Sequence, residues 1–315
     1  MKTGQSKGSL LALVLSMTIF GTVGVFRRYI PLPSSVIALA RGGVGTLFLA
    51  LMILLRGKKG AGLGKNKGLL FLSGAMIGFN WILLFEAYNH TTVAAATLCY
   101  YMAPVIVLLM SPLVLGEKWT KKKLLCIVTA FAGMVFVSGI LDSGFRMQEM
   151  LGVGLGLGAA LLYATVILLN KRIKGVEALD KTAAQMLSAT VVLIPYVLLT
   201  EKVSALSFTG PSVALLLGMG IVHTGLAYVL YFGSLRKLTA HTAAVFSYID
   251  PVVAVLLSAL FLGEKLGLDL YVAVVVVFGT RLFQNFAIIR LYYVDKYTKR
   301  NAQLSIDEIK PNSES

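Results

Sequence analysis

Two stretches decide the fold: YMAPVIVLLMSPLVLGEK at residues 101–118, and YIDPVVAVLLSALFLGEK at residues 248–265. Each pairs a tyrosine (Tyr101, Tyr248) with a proline three residues on (Pro104, Pro251), runs through mostly apolar residues and closes on Gly-Glu-Lys. The two align without a gap. Self-similarity of this kind marks an internal repeat. The chain therefore reads as two copies of one unit, 1–140 and 150–289, followed by a polar tail over 290–315.

Composition says what the unit is built from. Of 315 residues, 57% are hydrophobic and 14% charged, and the mean hydropathy is +0.82. A soluble domain carries about 25% charged residues. A helix needs about 17–25 apolar residues to cross a bilayer. The runs at 9–30, 34–55, 67–88, 92–115, 122–140, 150–170, 180–200, 211–232, 239–262 and 268–289 predict ten such helices. They are too long and unbroken for barrel strands. The expected fold class is an all-α polytopic membrane protein with ten transmembrane helices as two inverted five-helix repeats.

The net charge of +15 points to a membrane surface and not to nucleic acid. The basic residues sit in short loops between apolar runs, as cytoplasmic loops do, and not on a soluble domain face. Lys58, Lys59, Lys65, Lys67, Lys121, Lys122, Lys123, Lys171, Arg172, Lys174, Arg236 and Lys237 fall on one side, and Arg27, Arg28, Arg146, Lys202 and Lys265 on the other. The expectation is an integral plasma-membrane protein, multi-pass, with both termini cytoplasmic. Five helices per copy is an odd number, so the second copy enters from the opposite face, leaving Glu117 cytoplasmic and Glu264 external. Inverted repeats of this kind place a substrate site near the midplane, where the copies meet. Cys99 and Cys126 lie inside apolar runs and match no metal spacing. No metal, no other cofactor and no cleaved signal peptide is expected.

The repeat also carries a resemblance. Phe85-x-Ala87, Thr92-x-Ala94-Ala95, Pro104 and Gly116-Glu117-Lys118 in the first copy are echoed by Phe232, Thr239-Ala240, Pro251 and Gly263-Glu264-Lys265 in the second. With Pro33 and Arg41 in the second helix, the chain up to about residue 289 resembles the drug/metabolite transporter superfamily, in its ten-helix EamA-domain branch. The resemblance implies helices around a central cavity and transport of small metabolites, often export of amino acids or amines. Ion coupling is common in the family but not universal. His241, Asp250 and Arg281 depart from its pattern.

Candidate site residues follow from polar groups in apolar surroundings, since ionisable residues inside a membrane are costly and mark function by default. Asp250, His223 and Arg281 fall near the middle of their helices, where a charge costs at least about 2.5–3.5 kcal/mol. The first-copy counterpart of Asp250 is Ala103. Asp250 with Arg281 would form a static pair, and Asp250 with His223 a protonatable one; both readings stay open. Arg41 and Glu86 lie nearer the external boundary. They pair with each other or meet a substrate's carboxylate and amine. Asn80 and Trp81, with Tyr100 and Tyr101 opposite, suit a small amphipathic ligand, though an aromatic in a bundle serves packing equally well. Tyr248 stands where Tyr101 does. Pro104 and Pro251 shape a cavity or simply kink a helix. The Gly152-x-Gly154-x-Gly156-x-Gly158 run reads as close helix packing. Glu117 and Glu264, each at a helix C-terminus that disfavours an anion, call for a partner in the following loop.

These features together predict a secondary transporter of small polar metabolites, an exporter of amino acids, amines or related compounds by alternating access, with proton coupling left open. The alternative is an importer, or an antiporter of sugar-phosphate or nucleotide-sugar substrates, which calls for more cavity cations than Arg41 and Arg281. An enzyme calls for a dense His/Asp/Glu cluster, which three scattered histidines do not make. The expected partners are a small-molecule substrate and the lipid bilayer, with a homodimer left open.

Overall fold

The computed structural model describes residues 7–57, 62–115, 124, 128, 146–235, 238, 242, 246–247 and 249–264. Among the described residues every regular element is helical. Helix α1 (Lys7–Gly21) and helix α2 (Val23–Arg28) form one span, jointed at Thr22, whose hydroxyl turns back to the Ile19 carbonyl at 2.7 Å. Pro31 and Pro33 then bar further helix, and Pro33 is the N-cap of α3 (Ser34–Arg56). That helix ends on Gly57 at φ 66°, the left-handed cap glycine adopts without strain. A 3₁₀ turn (Gly64–Asn66) leads into α4 (Lys67–His90), followed by α5 (Val93–Tyr100), α6 (Ala103–Leu115), α7 (Met147–Arg172) and α8 (Ala178–Thr200). Next come α9 (Gly210–Gly218), a π-helical turn (Met219–Leu226), α10 (Ala227–Leu235) and α11 (Ile249–Leu262).

Among the described residues, seven helical spans are long and apolar enough to cross a membrane, and Ile249–Leu262 is a shorter apolar helix. They fall on the expected runs as far as the described residues reach. The runs at 122–140 and 268–289 lie outside them, apart from Leu124 and Val128. Leu47, Leu54, Leu113, Leu199 and Leu260 stand exposed on the outer surface, while Leu13, Ile37, Phe85 and Leu98 are fully buried. Exposed leucines in such numbers suit a lipid-facing surface. The span Val93–Met110 is the most enclosed, with 61% of its apolar window buried.

Both repeat prolines open a helix and kink none. The expected helix over 92–115 is two helices, separated at Tyr101 and Met102. Pro104 has no N–H to donate to Tyr100, so the ladder fails there; α6 restarts with Pro104 in its first turn, where the missing donor costs nothing. Pro251 likewise sits in the first turn of α11.

The frame is made by α3, α4, α7 and α8. The glycine run of α7 works on one face. A Cβ on Gly152 would stand 2.7 Å from Thr91 Cβ, and one on Gly156 2.8 Å from Cys99 Cβ, while Gly154 faces open space. Small residues four apart thus bring α7 onto the α4–α5 joint. Helices α3 and α8 are clamped at both ends. Ser35 donates to Glu201 at 2.5 Å at one, and Arg56 holds Asp180 Oδ1 at 2.9 Å and Glu177 at the other. Basic Arg56 at a helix C-terminus and acidic Asp180 at a helix N-terminus also complement the two helix dipoles.

Candidate functional site

A cavity of about 310 Å³ opens between the copies. Its walls come from α1, α3, α4, α5 and the α5–α6 break on the first-copy side, and from α7, α10 and α11 on the second. Arg41, Asn80, Trp81, Tyr101, Pro104 and Asp250, six of the eleven sequence candidates, line it together.

Arg41 is 5% exposed, yet it faces this cavity. Its Nε donates to Thr224 Oγ1 at 3.0 Å, and its Cζ lies 4.4 Å from the Trp81 ring centroid and 5.9 Å from that of Phe85. Stacking on an indole is a setting that suits guanidinium, which is weakly hydrated and planar. Among the described residues the bond to Thr224 is its one hydrogen bond, so the Nη groups remain for a ligand. It is also the one cation among the described lining residues. Thr224 owes its place to the π-helical turn. There the Thr224 hydroxyl reaches the Met219 carbonyl at 3.3 Å and His223 Nδ1 lies 3.4 Å from the Gly218 carbonyl, each five residues back. π-turns concentrate at functional sites.

Asp250, in the first turn of α11, accepts a hydrogen bond from the Tyr101 hydroxyl at the α5–α6 break. The α1–α11 contact beside it is close: a Cβ on Gly21 would stand 2.5 Å from the Asp250 carbonyl oxygen. Asn80 donates to the Ala159 carbonyl at 2.5 Å and accepts from the Tyr100 hydroxyl at 3.4 Å, tying α4 to α7 and α5. Tyr88, Tyr163, Tyr228 and Tyr231 complete an aromatic wall, with Tyr163 stacked on Tyr100 at 5.3 Å between centroids. An amphipathic lining with few charges fits a small polar metabolite that carries an apolar part.

Other expectations are redirected. Glu86 does not meet Arg41. It accepts from Ser34 at 2.7 Å and Asn89 at 3.0 Å and lies 3.3 Å from His90 Nε2. The arginine beside it is Arg27, which donates to Ser34 and Asn89 at 3.2 and 3.1 Å. This network ties α2, α3 and α4 at one end of the bundle, away from the cavity lining. Nor does His223 line the cavity. Its Nε2 lies 2.6 Å from the Thr22 hydroxyl and its ring packs edge-on against Phe26. Pro251 is buried but outside the lining. Glu264 finds a partner on α5 in the other copy, where the notable contact is with the Val93 amide. Arg281, Tyr248, His241 and Glu117 lie outside the described residues. Sequence reasoning missed Thr224, Tyr88, Tyr163, Tyr228 and Tyr231; polar atoms inside apolar runs were the available signal.

Residues 7–139 and 150–284 match the EamA-like transporter family, which together is most of the chain. The chain belongs to the EamA-like transporter family. It is thus a multi-pass integral membrane transporter and not an enzyme. Among its EamA relatives, the uncharacterized transporter YxxF of Bacillus subtilis is 30% identical over 279 residues, spanning 87% of this chain and 88% of its own. An uncharacterized transporter of Archaeoglobus fulgidus is 27% identical over 82% of this chain and 88% of its own, and protein RarD of Salmonella typhi 30% identical over 64% and 66%. A crystal structure at 18% identity covers 91% of this chain and 99% of its own with a TM-score of 0.62, a likeness of fold alone.

Proposed function

We propose that this EamA protein is a secondary transporter of small zwitterionic metabolites, amino acids or related amines, with the substrate carboxylate on Arg41 and its ammonium near Asp250. The observation that carries the reading is that one cation and one carboxylate, from α3 and α11, face the same aromatic-walled cavity. Ten helices in two inverted five-helix units, with both termini cytoplasmic, give that cavity two routes of access, and rocking of one copy against the other exposes it alternately. The gapless repeat and the asymmetry of basic loops support this arrangement. Outward transport rests on the family resemblance, and Asp250 is the group for any proton coupling.

The sugar-phosphate and nucleotide-sugar reading fits less well. A doubly charged phosphate calls for several cations, and Arg41 stands alone among the described lining residues. A volume of about 310 Å³ also lies at the small end of the roughly 300–1,000 Å³ typical of ligand sites.

The test is comparison of culture medium from cells with and without the protein by untargeted metabolite analysis. Zwitterionic amines accumulating outside producing cells support the reading; accumulation of phosphorylated compounds in their place overturns it.

A further inference from the structure

The Gly263-Glu264 pair at the end of α11 has a role beyond ending a helix. At the end of α11, Gly263 takes the left-handed φ of 64° that ends many helices, and the Glu264 amide returns to the Ser258 carbonyl at 3.3 Å. The glycine turns the chain so that the next residue leaves its own helix end. The Glu264 carboxylate then accepts from the Val93 amide at 2.8 Å and the Ala94 amide at 3.3 Å. Thr92 Oγ1 takes the Ala95 amide at 3.0 Å, and the Ala96 amide begins the helical ladder on the Thr92 carbonyl. Every amide of the first turn of α5 is thus accounted for, two of them by a residue of the other copy. An anion that its own helix end disfavours sits at the positive end of another helix.

Neighbouring contacts reinforce the junction. Arg28 Nη2 lies 3.7 Å from Glu264 Oε1 and donates to the Thr91 carbonyl at 3.0 Å, while the Tyr29 hydroxyl donates to the Phe261 carbonyl at 3.2 Å. The two helices joined here are cavity walls, α5 through Thr97 and Tyr100 and α11 through Asp250 and Ala254. The opposite end of the bundle holds a related contact. Arg172 donates to the Val114 carbonyl at 3.0 Å, and Val114 occupies in the first repeat the position of Phe261 in the second. Glu117 and Thr239 occupy the positions of Glu264 and Thr92.

We infer that Glu264 is a gating residue: its carboxylate latches α11 onto the first turn of α5 and closes that end of the cavity. The latch breaks when the cavity opens on that side. The inference rests on the alternating-access reading above and is independent of which substrate the cavity takes.

The test uses the full chain in membrane vesicles of both orientations, with Cys99→Ala and Cys126→Ser, and Ala254→Cys as reporter. An impermeant maleimide is added from each face. Glu264→Gln raises labelling from the face at the Glu264 end roughly tenfold and lowers it from the other, the population shift that loss of one charge-assisted bond brings. Val93→Pro is a second probe. It removes one amide that Glu264 accepts from, at a first helical position where proline fits and after a Thr92 that is already extended. It is expected to behave as Glu264→Gln does. Unchanged labelling, or an equal rise from both faces in both variants, overturns the latch. Absence of amino-acid flux with the labelling shifts intact would instead refute only the substrate reading.

Discussion

Arg41 of the first repeat is held by Thr224 of the second: Nε donates to Oγ1 at 3.0 Å, across the contact between α3 and the π-helical turn. The Arg41 side chain, which lines the cavity, is therefore held by a residue outside the lining. Thr224→Val keeps the branched shape and removes the acceptor. It is expected to raise the substrate KM by about two- to tenfold, the worth of one hydrogen bond, with expression unchanged and Thr224→Ser close to wild type. Transport kinetics in proteoliposomes read this directly.

Glu86 is expected to couple to Arg27 and not to Arg41. Both arginines flank the same helix end in sequence, but Ser34 and Asn89 are shared by Arg27 and Glu86. In a double-mutant cycle of thermal stability, Arg27→Gln with Glu86→Gln should be non-additive by about 0.5 kcal/mol or more, and Arg41→Gln with Glu86→Gln additive. The reverse pattern would restore the pairing that helix depth alone implied.

The glycines of α7 divide by face. Gly156→Ala crowds Cys99 and should lower the melting temperature in detergent by several degrees, whereas Gly154→Ala, facing open space, should leave it unchanged. Gly21→Ala is the corresponding test at the cavity. It pushes α1 against the Asp250 carbonyl and should cut transport more than it cuts stability.

The all-helical, membrane-spanning fold was legible in the apolar runs, and six candidate residues line one cavity because intramembrane polarity is itself the signal. Three things were hidden, each for a physical reason. The π-helical turn adds no polarity to an apolar span of 25 residues, so hydropathy passes over it. Tyr163 and Tyr228 lie on helices apolar on every side, where no periodicity separates a lipid-facing ring from a cavity-facing one. Counting 1.5 Å per residue gives depth but not azimuth. It therefore set Glu86 beside Arg41, and His223 beside Asp250, when the one turns to Ser34 and the other to Thr22.

The most direct test is exchange of radiolabelled amino acids and their decarboxylated amines across proteoliposomes carrying wild type, Arg41→Gln or Asp250→Asn. Wild type should exchange at least one zwitterionic amino acid. Arg41→Gln should raise its KM roughly tenfold or more while sparing the matching amine, and Asp250→Asn should impair both, since a site built for a polar group is left with an unmatched partner. Wild-type kinetics in both variants, or no exchange of any zwitterion by the wild type, would contradict a dipolar substrate held between Arg41 and Asp250.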